Sequence, residues 1–427
     1  MHPFATYVLR SYYKATGWNE DNLYSNLTRS SNAILDFTVP RGLHFSISKS
    51  PNALFRTTYS MNALPSLNGS VGYIFTSCDL DIKNSGDVRF KDMVERFRIF
   101  DQPHKAVGNE EIWLAGKRID TRDYLLYGRL YVPTGRLDAL YSTRFAANIQ
   151  ALVAAISDPR ADYAQATGRA ATSPSNVMLS LQHDTGRTCT EYTYSAEDMM
   201  VGVRLLHNFG RLGAPSTPAS TDAARRPKRI DEEDAMEGGL KGRISAGAEI
   251  YFSAKEKSAG VSTGIRFTTL PDATPPSFKL PLESPASPST PPPFSQPPTT
   301  ITALFNPMLG HISGAYAAQV SRDLSLGSRF DFNVYSYESE WTMGAEWWLR
   351  RARAAEDAPP TSAALHSSLH DVTGVVKARV STSNEVAVMW EGRLSNLLVG
   401  IGLAANLSSR AKPIRSLGLE LSYFSSS

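Results

Sequence analysis

Three histidines stand where chemistry is conceivable. His183 precedes Asp184, His207 closes the run Leu205-Leu206-His207, and His311 lies two residues before Ser313 in Gly310-His311-Ile312-Ser313-Gly314. A serine nucleophile needs a base within hydrogen-bond reach, and the nucleophile elbow G-x-S-x-G puts its serine third, at a strand-to-helix turn. Here the serine is fourth, and the residues around it alternate as a strand does. Cys78 and Cys189 are the only cysteines, too few for a zinc site or a disulfide framework. The chain carries no H-E-x-x-H, no C-x-x-C, no phosphate-cradling glycine loop and no EF-hand pattern. No enzyme, metal or cofactor is expected; a Ser313/His311 hydrolase is the weaker reading.

The elements that would have to position such residues read mainly as strands. Ile244, Ala246, Ala248, Ile250 and Phe252 alternate with Arg243, Ser245, Gly247, Glu249 and Ser253. Val261, Thr263, Ile265 and Phe267 alternate with Ser262, Gly264, Arg266 and Thr268, and Trp341, Met343, Ala345, Trp347 and Leu349 with Thr342, Gly344 and Glu346. Side chains of a strand point alternately to its two faces, so each run has an apolar face and a polar, partly charged one. The runs are about nine to eleven residues long, the length a tilted strand needs to cross a bilayer, whereas strands of globular proteins mostly have five or six. About nineteen such runs are readable between residues 42 and 424. An odd total forces the first and last strands to pair in parallel.

Composition agrees with a membrane barrel. The chain has 427 residues, of which 10% are aromatic, and a mean hydropathy of −0.25. No run of eighteen apolar residues occurs, which excludes a helical membrane protein but not a barrel, where every second residue faces a polar lumen. A net charge of +3 over this length argues against nucleic acid as a partner. The N-terminus matches neither a secretory signal nor an Arg-rich transit peptide, so any membrane address is expected within the mature sequence.

The fold expected is therefore all-β: a transmembrane β-barrel of about nineteen mainly antiparallel strands over 41–427, porin-like, behind an N-terminal helical segment over 1–40. Tyr7, Val8, Ser11, Tyr12 and Ala15 recur at helical spacing, and Gly17 stops that helix; a second short helix is placed after Asn22. Four insertions interrupt the strands, near 79–121, 209–242, 270–298 and 350–370. The first is charged, with room for a helix around Phe90–Phe100; the second runs from Arg225-Arg226-Pro227-Lys228-Arg229 to Asp231-Glu232-Glu233-Asp234; the third is dense in proline. All four read as solvent-exposed and partly disordered.

The last strand carries a further pattern. From Ser416 to Tyr423 it reads polar-x-Gly-x-x-hydrophobic-x-hydrophobic, with Ser416, Gly418, Leu421 and Tyr423 in the defining places. This resembles the sorting signal on the final strand of mitochondrial outer-membrane barrels. Other stretches resemble one family in particular: Tyr13-x-x-Thr16-Gly17-Trp18-Asn19, Leu35-Asp36-Phe37-x-x-Pro40, Asn68-Gly69-Ser70-Val71-Gly72-Tyr73 and Tyr127-Gly128-Arg129-Leu130-Tyr131-x-Pro133. Leu205-Leu206-His207-Asn208-Phe209, Asn306-Pro307-x-x-Gly310-His311-Ile312-Ser313 and Phe330-Asp331-Phe332-Asn333-Val334-Tyr335-Ser336, with Gly344-x-Glu346-Trp347 after them, complete the set. Spread in order along the chain, they resemble the mitochondrial distribution and morphology protein 10 family.

That resemblance implies a barrel of the mitochondrial outer membrane, in contact with its lipids and placed where the endoplasmic reticulum touches mitochondria. It implies the membrane anchor of the ER–mitochondria encounter structure, supporting lipid exchange and mitochondrial morphology and distribution. It further implies membership of the sorting and assembly machinery, which helps assemble outer-membrane β-barrels and the outer-membrane translocase. The aromatic pair implied in partner choice falls on Tyr73 and Phe75, the second lacking a hydroxyl here. A metabolite-conducting channel of the mitochondrial porin type is the alternative, and it requires an open, charge-lined lumen. The 270–298 insertion has no counterpart in the family pattern.

Overall fold

The computed structural model describes residues 3–80, 82–100, 103–104, 113–114, 117–118, 123–159, 175–210, 242–269, 297–350, 372–408 and 413–426. Its core is one sheet of nineteen strands. They are β1 (Gly42–Ser50), β2 (Phe55–Leu64), β3 (Asn68–Thr76), β4 (Tyr124–Val132), β5 (Leu137–Ala146), β6 (Ile149–Ser157) and β7 (Asn176–Asp184). Next come β8 (Thr188–Ser195), β9 (Met200–Asn208), β10 (Gly242–Ser253), β11 (Ser258–Thr269), β12 (Thr299–Asn306) and β13 (His311–Gln319). The series ends with β14 (Leu324–Asn333), β15 (Ser339–Arg350), β16 (Val372–Ser381), β17 (Glu385–Leu394), β18 (Leu397–Asn406) and β19 (Ile414–Ser426).

Each strand pairs antiparallel with its sequence neighbour, and β1 pairs in parallel with β19 from Gly42↔Gly418 to Ser50↔Ser426. The sheet is thus closed and has no edge, as a sheet in lipid must be because no water is there to satisfy an open edge. Both the all-β barrel and the parallel closure implied by an odd strand count are observed. Strands run from eight residues (β8, β12) to thirteen (β19). A ten-residue strand at about 3.3 Å per residue, tilted about 45°, rises about 23 Å, close to the apolar band of about 25 Å on such barrels.

The distribution of polarity is inverted relative to a water-soluble sheet. On β10 and β11, Ile244, Ile250, Phe252 and Ile265 are about half exposed on the outer wall, while Arg243, Ser245, Arg266 and Thr268 between them are buried. The same holds around the barrel: Tyr59, Val71, Leu205, Tyr316, Phe330, Met343, Trp347 and Ile401 face out. A continuous apolar surface of this extent is stable only against hydrocarbon. The described helices include none long and apolar enough to cross a membrane.

The interior is filled by two segments that are not strands. Residues 3–40 form α1 (Pro3–Thr16), two single turns at Glu20–Asn22 and Tyr24–Asn26, and α2 (Arg29–Leu35). Gly17, at φ +69°, ends α1, with the Trp18 N–H donating back to the Tyr13 carbonyl at 2.9 Å. The second helix therefore begins seven residues beyond Asn22, after two tight turns. The other segment is residues 80–100, whose one helical turn is α3 (Phe90–Met93).

This second segment corrects the expectation that the 79–121 insertion is solvent-exposed. Leu80, Ile82, Val88, Phe90, Val94, Phe97 and Phe100 are all buried. Its charges misled: Lys91, Glu95, Arg96 and Arg98 give it a polar appearance, but the aromatic and branched residues between them pack against the wall. The second insertion beyond Gly210, the third between 269 and 297, and the fourth between 350 and 372 lie outside the described residues.

Candidate functional site

Residues 3–40 travel right around the inner wall. The end of α1 is held by β5, where the Arg144 guanidinium donates to the carbonyls of Thr16 and Ala147; a cation there complements the negative end of the helix. Asn22 then donates to Asp184 on β7 at 2.7 Å and accepts from Asn208 on β9 at 2.5 Å. The Tyr24 hydroxyl meets Ser262 on β11 at 3.0 Å. Ile34 and Leu35, fully buried, lie over Gly327 on β14 and Gly344 on β15. Phe37 packs on Ala387 and Met389 of β17, and Val39 and Pro40 run over Gly402 on β18 and Gly418 on β19 before the chain enters β1.

Charged wall residues fix α2 and residues 80–100 together. The last carbonyls of a helix lack intrahelical partners. Here the Lys377 ammonium donates to Ala33 O at 3.0 Å and also to Glu95 O, while Arg379 donates to Leu35 O at 3.0 Å. Glu346 faces Lys377 directly across β15–β16, with the ammonium 4.0 Å from its carboxylate. That carboxylate accepts from Phe97 N at 3.2 Å and Trp348 Nε1 at 2.7 Å. Both ions are almost wholly buried, at 1% and 0% exposure, so each depends on the other and on these hydrogen bonds. Arg329 reaches Asp36 at 2.6 Å, and Arg393 donates to Gly86 O and Val88 O at 2.9 and 2.7 Å. Between the segments, Glu95 pairs with Arg10 and Arg29; burial works against its charge, but the two guanidinium groups outweigh it and hold the carboxyl below its ordinary range. A polar pocket of about 320 Å³ remains beside α2, walled by Ser25, Asn26, Arg29, Asn32 and Glu95.

The closing strand is clamped from inside. The Phe424 ring packs on Phe4 with centroids 5.2 Å apart, its carbonyl accepts from Ser85 N at 3.0 Å, and the Ser426 N–H reaches Asn84 at 2.7 Å. Ser416 Oγ donates to Pro40 O at 3.1 Å. A Cβ on Gly418 would fall 2.4 Å from the Pro40 carbonyl oxygen and 2.8 Å from Arg41 N, so only glycine fits. Leu421 and Tyr423 lie on the opposite, outer face of the strand, with Leu417 and Leu419.

Tyr73 and Phe75 also point outward, alternating with fully buried Ile74. Phe75 stacks on Tyr124 with centroids 6.0 Å apart. The Tyr73 ring lies flat over Gly128 of β4: a Cβ there would meet ring atoms at 2.6–2.9 Å. Sequence reasoning missed Gly128, although it stands within one of the recognised motifs, because register across two strands decides which glycine lies under which ring. It also missed the roles of Lys377, Glu346 and Arg144; for Lys377 and Arg144 the only sequence signal was a charge on the polar face of an apolar run, and Glu346 stood in a recognised motif with no partner assigned to it.

The candidate chemistry of the histidines and cysteines is dispersed. His183 bonds Asn148 and His207 bonds Thr188, both at 2.9 Å. His311 lies 3.8 Å from Asp331 on the wall it shares with buried Ser313, and no hydrogen bond joins Ser313 to His311 among the described residues. Burial pushes the Cys78 thiol up to about 11, which keeps it protonated.

This geometry defines a class: a membrane-spanning β-barrel of nineteen strands, closed by one parallel pair and filled by its own N-terminal segment and first insertion. Family comparison narrows it. The family described as mitochondrial distribution and morphology protein 10 matches residues 1–371 and 362–426. Relatives of that name share 69% identity in Postia placenta and 68% in Laccaria bicolor, each over 100% of both chains. A more distant one in Cryptococcus neoformans shares 41% over 99% of both. The chain belongs to the mitochondrial distribution and morphology protein 10 family.

Proposed function

We propose that this chain is a scaffold and anchor of the mitochondrial outer membrane, acting in the distribution and morphology of mitochondria. In this reading it is the membrane anchor of the ER–mitochondria encounter structure at contact sites, where it supports lipid exchange. It also joins the sorting and assembly machinery and helps assemble outer-membrane β-barrels and the translocase. Family membership supports the mitochondrial setting. The observation that carries the scaffold over the porin alternative is the occupied lumen. A metabolite pore needs an open, charge-lined passage; here residues 3–40 and 80–100 are packed into that space, and the wall charges Arg144, Arg329, Glu346, Lys377, Arg379 and Arg393 bond them rather than a permeant ion. The surfaces left for work are the outer wall and the two rims.

Tyr73 and Phe75 are the partner-contact candidates on that wall, and Ser416, Gly418, Leu421 and Tyr423 form the sorting signal. Both assignments rest on the family resemblance. For Tyr73 and Phe75, the outward orientation of the two rings beside Gly128 and Tyr124 adds support. Native pull-down from detergent-solubilised mitochondria tests the reading. The wild-type chain is expected to bring down both the tether subunits and the assembly-machinery barrel, and Tyr73→Ala/Phe75→Ala to lose one set while retaining the other. If the wild type brings down neither, the scaffold reading is wrong; if the double variant keeps both, the aromatic pair is a lipid-facing girdle only.

A further inference from the structure

At the mouth of the barrel by the far ends of β13 and β15, cations outnumber anions among the described residues. Lys91, on α3, lies 5.2 Å from the centre of the Trp348 ring. Arg350 closes β15 and pairs with Asp323 in the β13–β14 turn at 2.5 Å, where its neighbour Arg322 is exposed. Arg96 follows in the same segment as Lys91. Among the described residues neither Lys91 nor Arg96 has a carboxylate within ion-pair distance or a hydrogen bond to its side chain, although both are half-buried.

Among the described residues these four cations face Asp92, Asp323, which Arg350 already engages, and Glu346, which Lys377 already engages, so two cations are left in excess. Burial lowers the pKa of both Lys91 and Arg96, and Arg96, Arg350 and Arg322 all add repulsion at the Lys91 ammonium. A half-buried charge with like charges around it is unfavourable until an anion arrives. Just outside the rim the wall is apolar, with Trp347 and Val320 more than half exposed. Trp348, on which Lys91 lies, and the outward-facing Trp347 are consecutive residues of β15, so a phosphate held at Lys91 stands across that one strand from hydrocarbon-binding surface.

We propose that Lys91, Arg96, Arg322 and Arg350 form a phosphate-binding site at this mouth, suited to the phosphomonoester headgroup of an anionic lipid whose acyl chains lie on the outer wall. A phosphomonoester carries about −1.5 to −2 charges at neutral pH, matching the excess of two cations. Free phosphate offers the same chemistry without the chains. The proposal rests on the mouth's own charges and is independent of the scaffold reading.

The test is the unfolding midpoint of the full chain in neutral detergent micelles with added dioleoyl phosphatidic acid, dioleoyl phosphatidylcholine, or inorganic phosphate. Phosphatidic acid is expected to raise the midpoint by about 3 °C or more over phosphatidylcholine, and molar salt to abolish the gain. A gain with phosphatidic acid alone identifies the lipid; an equal gain with inorganic phosphate identifies the free anion. Lys91→Gln/Arg96→Gln should lose the gain and, without ligand, unfold at or above the wild-type midpoint, because repulsion has been relieved. No gain over phosphatidylcholine, a gain untouched by molar salt, or a gain retained by the double variant would each overturn the site.

Discussion

Replacing Lys377 with methionine should cost the barrel about 3–5 kcal/mol of unfolding free energy, the range for breaking a buried ion pair on one side. The loss has three physical parts. Glu346 would be left fully buried with its charge met by the Phe97 and Trp348 N–H groups and, at longer range, by Arg96, none of which pairs with it as Lys377 does. Ala33 O, at the end of α2, would lose its donor. Glu95 O would lose its own as well, so the same substitution loosens residues 80–100 locally around Glu95, while Arg393 and Trp348 still hold their other end. Urea unfolding in detergent reads the energy, and limited proteolysis within 80–100 reads the loosening. Lys377→Met/Glu346→Met should recover part of the loss, since it leaves no unpaired charge, although the backbone acceptors remain unserved. A single-variant cost under about 1 kcal/mol would mean that solvent, not the pair, satisfies these groups.

The second large effect is expected at Gly418, which has two possible meanings. As part of the Ser416–Tyr423 pattern it belongs to the sorting signal proposed above from the family resemblance. As a packed residue it lies against the Pro40 carbonyl and Arg41 N, where the plug turns into β1 beside the parallel seam. Neither of those atoms is the movable end of a side chain, so Gly418→Val forces backbone apart at the junction that closes the barrel. Refolding the denatured chain into detergent removes every assembly factor from the question. The compact form that migrates fast in cold SDS gels should be lost in the variant even there. If Gly418→Val refolds as well as wild type, the packing role is wrong and glycine is required only by the signal.

The alternation of residues carried the architecture because the two faces of each strand meet opposite solvents. Runs such as Trp341–Leu349 therefore show period two without interruption, and Tyr73 and Phe75 could be placed on one face from their spacing around Ile74 alone. The contents of the barrel were much less legible. Leu80, Ile82, Val88, Phe90, Val94, Phe97 and Phe100 follow neither a strand nor a helix period, since each meets a different part of a curved wall: Phe90 meets Trp348, Phe100 lies under Arg266, and Ser85 meets Phe424. Those partners are all more than about 160 residues away in sequence. The Glu346–Lys377 pair was equally hidden, because its register spans the 350–370 insertion, and the length of an insertion says nothing of register. The final strand was readable as a pattern, but the reason its glycine admits no side chain lies at Pro40, at the other end of the fold.

The most direct test of the central claim is conductance. The full-length chain, refolded and inserted into planar bilayers at neutral pH, is expected to give no steady current, because α1, α2 and residues 80–100 occupy the lumen and the wall charges hold them there. A stable, porin-like open state of the unaltered chain would contradict that account and restore the channel reading.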